Sequence, residues 1–446
     1  MDTSFFKEYD IRGVIDKEIT LKTAEMIGKA FGTLVKAAPV VVGYDIRQSS
    51  EKILGSFING LKSTGCDISV IGKAASPVLY FNAWNSRKVG AMITASHNPA
   101  EYTGFKFVEK NGCSFVDQYK DLRKIYAEGN FIEGKGTVTE TDGYAPYLNF
   151  LKSVIRIRKP VKVAVECLYA SAGTILPKLY EELGMEVVPS HCEPKPDFNK
   201  ERPEPKGDNL KAIGELIRKN KAAFGVGFDG DCDRSVIIDD KGREISGSQS
   251  SGIFIKHILP KNKGGSVVVT IDCHSELKAL TESLGGKFFW SEVGHGFIGS
   301  NVYKHKAVYG GEMSSHMWFE RYPFSDGFLC GLKMAELLSE TDEKLSDMVD
   351  ELNFAPMLKE YTSCDTNEKK EKVIAKLVEN HIKMPGATKT RDGVKFFLNE
   401  TEWVLLRKSN NLPEICLVFE AKDEARYKEL HSKYRKIIDD TIAGVN

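Results

Sequence analysis

Three aspartates at alternate positions, Asp229, Asp231 and Asp233, stand in the run Phe228-Asp229-Gly230-Asp231-Cys232-Asp233-Arg234. A loop of that composition turns carboxylate oxygens toward one point, which suits a hard cation such as Mg²⁺. Arg234 follows at once and offers a two-pronged bond to phosphate. A calcium EF-hand is a competing reading, and Asp240 even falls at its last ligand position. That loop needs glycine for its sharp turn where Arg234 stands, and the flanks at 223–227 and 235–238 read as strands. A solvated acidic turn is the plain alternative.

A second loop, Thr94-Ala95-Ser96-His97-Asn98-Pro99, leaves the apolar run 89–93. It places a hydroxyl beside an imidazole and an amide, as a serine that accepts or donates a phosphoryl group would require. The same residues also favour an ordinary turn. Adjacent Ser96 and His97 do not make a hydrolase triad, which needs three oriented groups.

A third loop reads Gly310-Gly311-Glu312-Met313-Ser314-Ser315-His316. Glu312 and Ser314 suit sugar hydroxyls, which both donate and accept hydrogen bonds. His316 suits a proton carrier or a phosphate contact. A fourth, residues 406–413, gathers Arg407, Lys408, Ser409, Asn410 and Asn411 in a turn between strands, where cations and backbone N–H groups would hold an anion. Arg12 at a glycine turn and Lys106, ten residues beyond Ser96, would suit a phosphate neighbourhood, although single cations usually solvate a surface.

What must position these loops is legible as alternating strands and helices. Runs at 39–45, 161–166 and 266–272 are short, β-branched and continuous in apolar residues, as buried parallel strands are. Each ends on a carboxylate: Asp45, Glu166 and Asp272. They recur roughly a hundred residues apart, which suggests one α/β unit repeated. Leu21, Ala24, Ile27, Phe31, Leu34 and Val35 trace one face of a helix. The pattern predicts an α/β class with parallel strands. Linkers are expected near 139–143, after the 234–244 hairpin and near 353–356. Beyond 362, a helix (369–381), strands (393–398, 403–406, 414–420) and a last helix (422–440) predict a small α+β domain. The four expected domains span 1–141, 142–243, 244–355 and 356–446, and carry the serine, aspartate, glutamate and anion loops in turn.

Composition narrows the function further. Among 446 residues, 62 Lys and Arg balance 62 Asp and Glu, so no basic field exists for nucleic acid or an anionic membrane. The size allows several large cores without disulfide or metal staples. No apolar stretch is long enough to span a membrane and the first residues carry no secretory pattern. The nine cysteines are scattered and odd in number with no CxxC pair, which argues against a disulfide framework or structural zinc. A cytoplasmic, reducing setting is expected.

The stretches 9–13, 94–99, 104–106, 229–234, 311–316 and 407–413, in this order, resemble the α-D-phosphohexomutase family, and within it the phosphomannomutase/phosphoglucomutase branch. The likeness spans almost the whole chain. It implies four domains in a heart-shaped arrangement, three of them sharing one mixed α/β fold. It also implies that Ser96 carries the phosphoryl group and joins Asp229, Asp231 and Asp233 in holding Mg²⁺. Arg12, His97, Lys106, Arg234 and His316 would make up the catalytic neighbourhood. Tyr9, His295, Glu312 and Ser314 would read the sugar. Arg407, Ser409, Asn410 and Asn411 would hold the non-reacting phosphate.

The activity implied is interconversion of hexose 1-phosphate and hexose 6-phosphate, mannose or glucose, through a hexose 1,6-bisphosphate that also serves as activator. The partner implied is a small phosphosugar, and the chain would be a monomer or homodimer. A phosphoglucosamine mutase, a phosphoserine-dependent sugar phosphatase and a non-catalytic sugar-phosphate sensor are the competing readings. Several positions depart from the family pattern. Cys232 and Ser315 stand where glycine is frequent, and Asn411-Leu412 replaces a threonine-containing pair.

Overall fold

The computed structural model describes residues 2–319, 322–409 and 412–445. Its first sheet is built from β1 (Ile11–Val14), β2 (Val40–Tyr44), β3 (Ile68–Lys73), β4 (Val89–Ile93), β5 (Tyr102–Val108) and β6 (Val138–Glu140), in the order β1-β5-β4-β2-β3-β6. The second contains β7 (Lys162–Glu166), β8 (Glu186–Ser190), β9 (Phe224–Phe228), β10 (Ser235–Ile238) and β11 (Glu244–Ile245), ordered β11-β10-β9-β7-β8. The third has β12 (Ser266–Thr270), β13 (Lys287–Ser291), β14 (Tyr309–Gly311) and β15 (Met317–Phe319), ordered β13-β12-β14-β15.

These three sheets repeat one plan. A first strand (β2, β7 or β12) lies between two parallel neighbours, one of which is β4, β9 or β14. That neighbour turns back into an antiparallel partner, β5, β10 or β15. The connection at the turn is, in each sheet, a loop marked for chemistry: residues 94–101, 229–234 and 312–316. All three therefore leave the carboxyl end of a parallel strand, where open α/β sheets bind ligands.

The strands are apolar on both faces because helices cover both. In β2, Val40 and Val42 join a core with Ile27 and Phe31 of helix α1 (Leu21–Leu34) and Ile53 and Phe57 of helix α2 (Gln48–Ser63). Val41, pointing the other way, joins Val78 and Leu79 of helix α3 (Ser76–Ser86). That second core continues through Val163, Val165 and Phe228 to Val267, Val269 and Phe319, so one apolar body runs through all three sheets. The loops are thereby fixed relative to one another.

The fourth sheet is antiparallel throughout: β16 (Met357–Ser363), β17 (Thr388–Lys389), β18 (Gly393–Phe397), β19 (Trp403–Lys408) and β20 (Glu414–Glu420), in the order β16-β20-β19-β18-β17. One face packs under the helices Asn367–His381 and Glu424–Ala443, through Val394, Phe396, Leu406, Leu417 and Leu430. The opposite face carries Trp403, Leu405, Cys416 and Val418, against Ile271 beside the third sheet.

Several local expectations shift. The last helix begins two residues later than 422, because Asp423 caps it by accepting from the Arg426 N–H. Residues 139 and 140, expected as linker, pair in β6 with β3. Strand β16 was not anticipated. Arg407 and Lys408 lie in β19 and not in a turn, since pairing with β20 runs on to Lys408. Asn410 and Asn411 lie outside the described residues. Among the described residues, no helix is long and apolar enough to cross a membrane.

Candidate active site

Ser96 follows β4 on a strained backbone, with φ 51°, in the left-handed region that non-glycine residues rarely adopt. Its N–H donates to Thr94 Oγ1 (2.9 Å), and the Thr94 hydroxyl donates to Asp45 Oδ2 (2.7 Å). Asp45 follows β2 and pairs with Arg47 (3.0 Å), both fully buried. Arg47 in turn donates through Nη2 to the carbonyls of Ser96 and Asn98, both at 2.6 Å, and through Nη1 to that of Pro99 (2.5 Å). The serine loop is thus clamped from below by one guanidinium fork.

The β9–β10 loop meets that serine from the second sheet. Ser96 Oγ donates to Asp229 Oδ2 (3.0 Å), which also accepts from Arg234 Nε (2.9 Å). Gly230 presses against the serine: a Cβ there would lie 2.2 Å from the Ser96 carbonyl oxygen. Asp229, Asp231 and Asp233 are all buried, and one oxygen from each lies within 4.8 Å of the others. Lys106 on β5 donates to Asp231 Oδ2 and Asp233 Oδ2, both at 2.7 Å. Asp231 Oδ1 is buried and accepts no hydrogen bond. A buried carboxylate oxygen without a partner is costly, and a cation at this point would satisfy it. The three carboxylates thus fit a metal ion by donor type, convergence and the oxygen left bare.

From the third sheet, Glu312 binds the Gly294 N–H through Oε1 (2.9 Å) and accepts the Ser314 hydroxyl through Oε2 (2.9 Å). His316 lies 2.8 Å from Glu312 and 3.3 Å from Asp233, so it bridges the sugar-type loop and the aspartate loop. His295 stacks on His316 at 5.6 Å between ring centres, and Tyr9 meets His295 edge-on at 5.5 Å. Arg12 on β1 donates to Asp10 and to Asn98 Oδ1, both at 2.7 Å.

Environment separates the histidines. Burial and the cations Arg234 and Arg12 push His97 well below the ordinary imidazole value, so it stands neutral. Its Nδ1 is 3.3 Å from Ser96 Oγ. Burial also pushes His295 down, to about 4. Burial opposes the charge on His316 too, but Asp233 and Glu312 outweigh it and raise His316 to about 9. Lys106 is buried, yet Asp231 and Asp233 hold its pKa well above normal. The site therefore combines one neutral imidazole next to the serine with protonated Lys106 and His316 against the aspartates.

One cleft joins Tyr9, Arg12, Ser96, His97, Lys106, Arg234, His295, Glu312, Ser314, His316, Arg407 and Ser409; the three aspartates are buried behind it, bonded to Ser96, Arg234 and Lys106 of its wall. Among the described residues, the catalytic and substrate positions read from the sequence line this cleft, and the three metal positions sit directly behind it. Arg407 is buried, its Nε donating to Asp392 (2.6 Å). Sequence reasoning missed Glu204, Lys359 and Tyr361, which also line the cleft. Lys359 and Tyr361 alternate on β16 and face the same way as Arg407, and Lys359 pairs with Asp272 at 2.9 Å. The period-two spacing within 357–363 was their only sequence signal.

The departures at Cys232 and Ser315 have a backbone meaning. Both occupy left-handed positions, φ 66° and φ 67°, which glycine adopts without strain. Each closes a loop: Cys232 N–H donates to Asp229 O (3.1 Å), and Ser315 N–H to Glu312 O (3.0 Å).

Comparison with known proteins agrees along the length of the chain. Family descriptions of phosphoglucomutase/phosphomannomutase α/β/α domains I, II and III match residues 3–133, 145–242 and 246–354. A phosphomannomutase/phosphoglucomutase of Pseudomonas aeruginosa is 31% identical over 452 residues, covering 99% of this chain and 97% of the relative. A phosphoglucomutase/phosphomannomutase of Thermococcus kodakarensis is 32% identical over 457 residues, covering 98% and 99%. A crystal structure of a phosphoglucomutase/phosphomannomutase family protein from Burkholderia thailandensis superposes with TM-score 0.89 at 28% identity, covering 100% of this chain and 99% of that one.

Proposed function

The chain belongs to the phosphoglucomutase/phosphomannomutase family and is a hexose-phosphate mutase, and within that family we propose that it interconverts the 1- and 6-phosphates of mannose and glucose through a phosphoserine at Ser96. The contact that carries this reading is Ser96 Oγ to Asp229 Oδ2 at 3.0 Å, which seats the serine hydroxyl on the edge of the aspartate cage.

Phosphoryl transfer depends on positioning and charge neutralisation. In the proposed cycle, phospho-Ser96 passes its phosphoryl group to the free hydroxyl of a hexose monophosphate. The new sugar O–P bond forms as the serine O–P bond breaks. The hydroxyl proton goes to the neutral His97, since His316 and Lys106 already hold theirs, and His97, whose Nδ1 lies 3.3 Å from Ser96 Oγ, gives it to the serine oxygen as that oxygen leaves. Arg12, Arg234 and Lys106 stabilise the equatorial oxygens. The hexose 1,6-bisphosphate turns around and returns its other phosphoryl group to Ser96. Glu312 and Ser314 bind sugar hydroxyls in either orientation. Arg407 and Ser409, with Asn410 and Asn411, hold the distant phosphate, and Lys359 and Tyr361 extend that cradle. Asp229, Asp231 and Asp233 would hold Mg²⁺, which supplies further charge neutralisation at the transferring group. Hexose 1,6-bisphosphate would also prime the unphosphorylated serine.

The test is a set of coupled assays on mannose, glucose and glucosamine 1-phosphates with free phosphate followed in parallel. Turnover of the two hexoses with little free phosphate is expected. Turnover confined to glucosamine phosphate, the substrate class named for a Methanococcus vannielii relative 30% identical over 451 residues, would overturn the sugar assignment. Stoichiometric phosphate release would make the chain a phosphatase.

A further inference from the structure

Away from the cleft entrance, two cysteines of the second sheet meet. Cys167 follows β7 and Cys192 lies two residues past β8, the neighbouring parallel strand and the edge of its sheet. Their sulfurs are 2.8 Å apart, less than 1 Å beyond a bonded pair. The two backbones are tied beside them: Cys167 N–H donates to Ser190 O (3.1 Å), and Tyr169 N–H to His191 O (2.8 Å). Glu166 adds a buried hub, accepting from the Leu168 N–H (2.9 Å) and the Ser190 hydroxyl (2.6 Å) and contacting His191 Nδ1. Cys167 is fully buried and Cys192 half-buried between the exposed residues His191 and Glu193.

We propose that Cys167 and Cys192 are a reversible dithiol/disulfide pair, closed by exchange with a low-molecular-weight disulfide, and that closing it acts on the serine loop. Cys192 is the attacking thiol. It is the reachable member of the pair, and the hydrogen bond from the Cys167 S–H lowers its pKa. Its thiolate attacks one sulfur of the small disulfide, forming a mixed disulfide at Cys192 and releasing one small thiolate. That leaving group takes the Cys167 proton. The Cys167 sulfur then attacks the Cys192 sulfur, the protein disulfide forms, and a second small thiolate leaves. The chain loses two hydrogens and two electrons, all of which depart with the two small thiols.

Two contacts link the pair to Ser96. Downstream of Cys167, Ser171 N–H donates to Gly230 O (3.3 Å), and Gly230 abuts the Ser96 carbonyl. Downstream of Cys192, Phe198 supports the Arg47 guanidinium at 4.6 Å, and Arg47 holds the same carbonyl. A bond between the cysteines therefore joins the two segments that reach the serine carbonyl, one through Gly230 and the other through Arg47.

The full-length protein, incubated with glutathione disulfide, acid-quenched, alkylated and peptide-mapped, tests this. Wild type is expected to yield a Cys167–Cys192 cross-linked peptide two hydrogens lighter than the reduced pair. Cys167→Ser, lacking the resolving thiol, is expected to trap glutathione on Cys192. Native kcat should fall by about twofold or more in the oxidised form and recover with dithiothreitol, while Cys192→Ser stays unresponsive. If both cysteines remain alkylatable in native wild type, or Cys167→Ser takes up no glutathione, the pair is not an exchange site. If the cross-link forms and kcat is unchanged, the link to the serine loop is wrong.

Discussion

Arg47 Nη2 lies 2.6 Å from the carbonyl oxygen of Ser96, forty-nine residues away in sequence. The same guanidinium binds Asp45, Asn98 and Pro99. It does not itself line the cleft, yet it fixes the strained serine from beneath. Lysine at this position keeps the charge but loses the fork. Arg47→Lys should therefore lower kcat by about 10²-fold with KM nearly unchanged, since small misplacements of a reacting group cost that much. Steady-state kinetics with both hexose 1-phosphates check this, and a change confined to KM would assign Arg47 to binding instead.

The aspartate cage is the second point of leverage. Asp231 Oδ1 is one of two buried oxygens of the cage left without a hydrogen bond among the described residues, the other being Asp233 Oδ1. Replacing Asp231 by Asn removes one negative charge while Lys106 keeps Asp233 as a partner. The Mg²⁺ concentration for half-maximal rate is expected to rise by roughly tenfold or more. Titration of rate against Mg²⁺, supported by calorimetry on the unphosphorylated protein, provides the measurement. An unchanged midpoint would take Asp231 out of the metal site.

His316 gives a pH dependence whose sign follows from its partners. In the folded chain its pKa is raised to about 9 by Asp233 and Glu312 despite burial, against about 6.5 when unfolded. Its contribution to stability is complete below pH 6.5 and disappears as pH rises through 9. The difference in melting temperature between wild type and His316→Gln should be largest at pH 6 and close toward pH 9.5. Thermal denaturation across that range decides it; a gap that widens with pH would reverse the assigned charge.

Much of this site was legible because its chemistry is local in the chain. Asp229, Asp231 and Asp233 occupy one short loop, and the apolar runs before Ser96 and Asp229 became β4 and β9 with little shift in their ends. The fourfold division of the fold followed from repeated β-branched runs and a change of pattern after the third. What escaped notice depends on distant pairing. Asp45 was visible as a carboxylate at a strand end, but its task under the serine loop exists only once Arg47 and Thr94 meet it. Arg407 read as a turn cation because a guanidinium in a buried strand contradicts strand propensity; Asp392, fifteen residues earlier, is what permits it. Lys359 and Tyr361 lie in Met357–Ser363, a strand whose polar residues hide its alternation until the cleft wall is assembled.

The most direct measurement is peptide-resolved mass spectrometry of the protein after brief incubation with glucose 1,6-bisphosphate and Mg²⁺, alongside Ser96→Ala treated identically. One phosphoryl group on Ser96 is expected, chased off by hexose monophosphate at a rate matching turnover and missing from the alanine variant. A phosphoryl group on another residue that carries the flux, or full turnover by Ser96→Ala, would contradict the account.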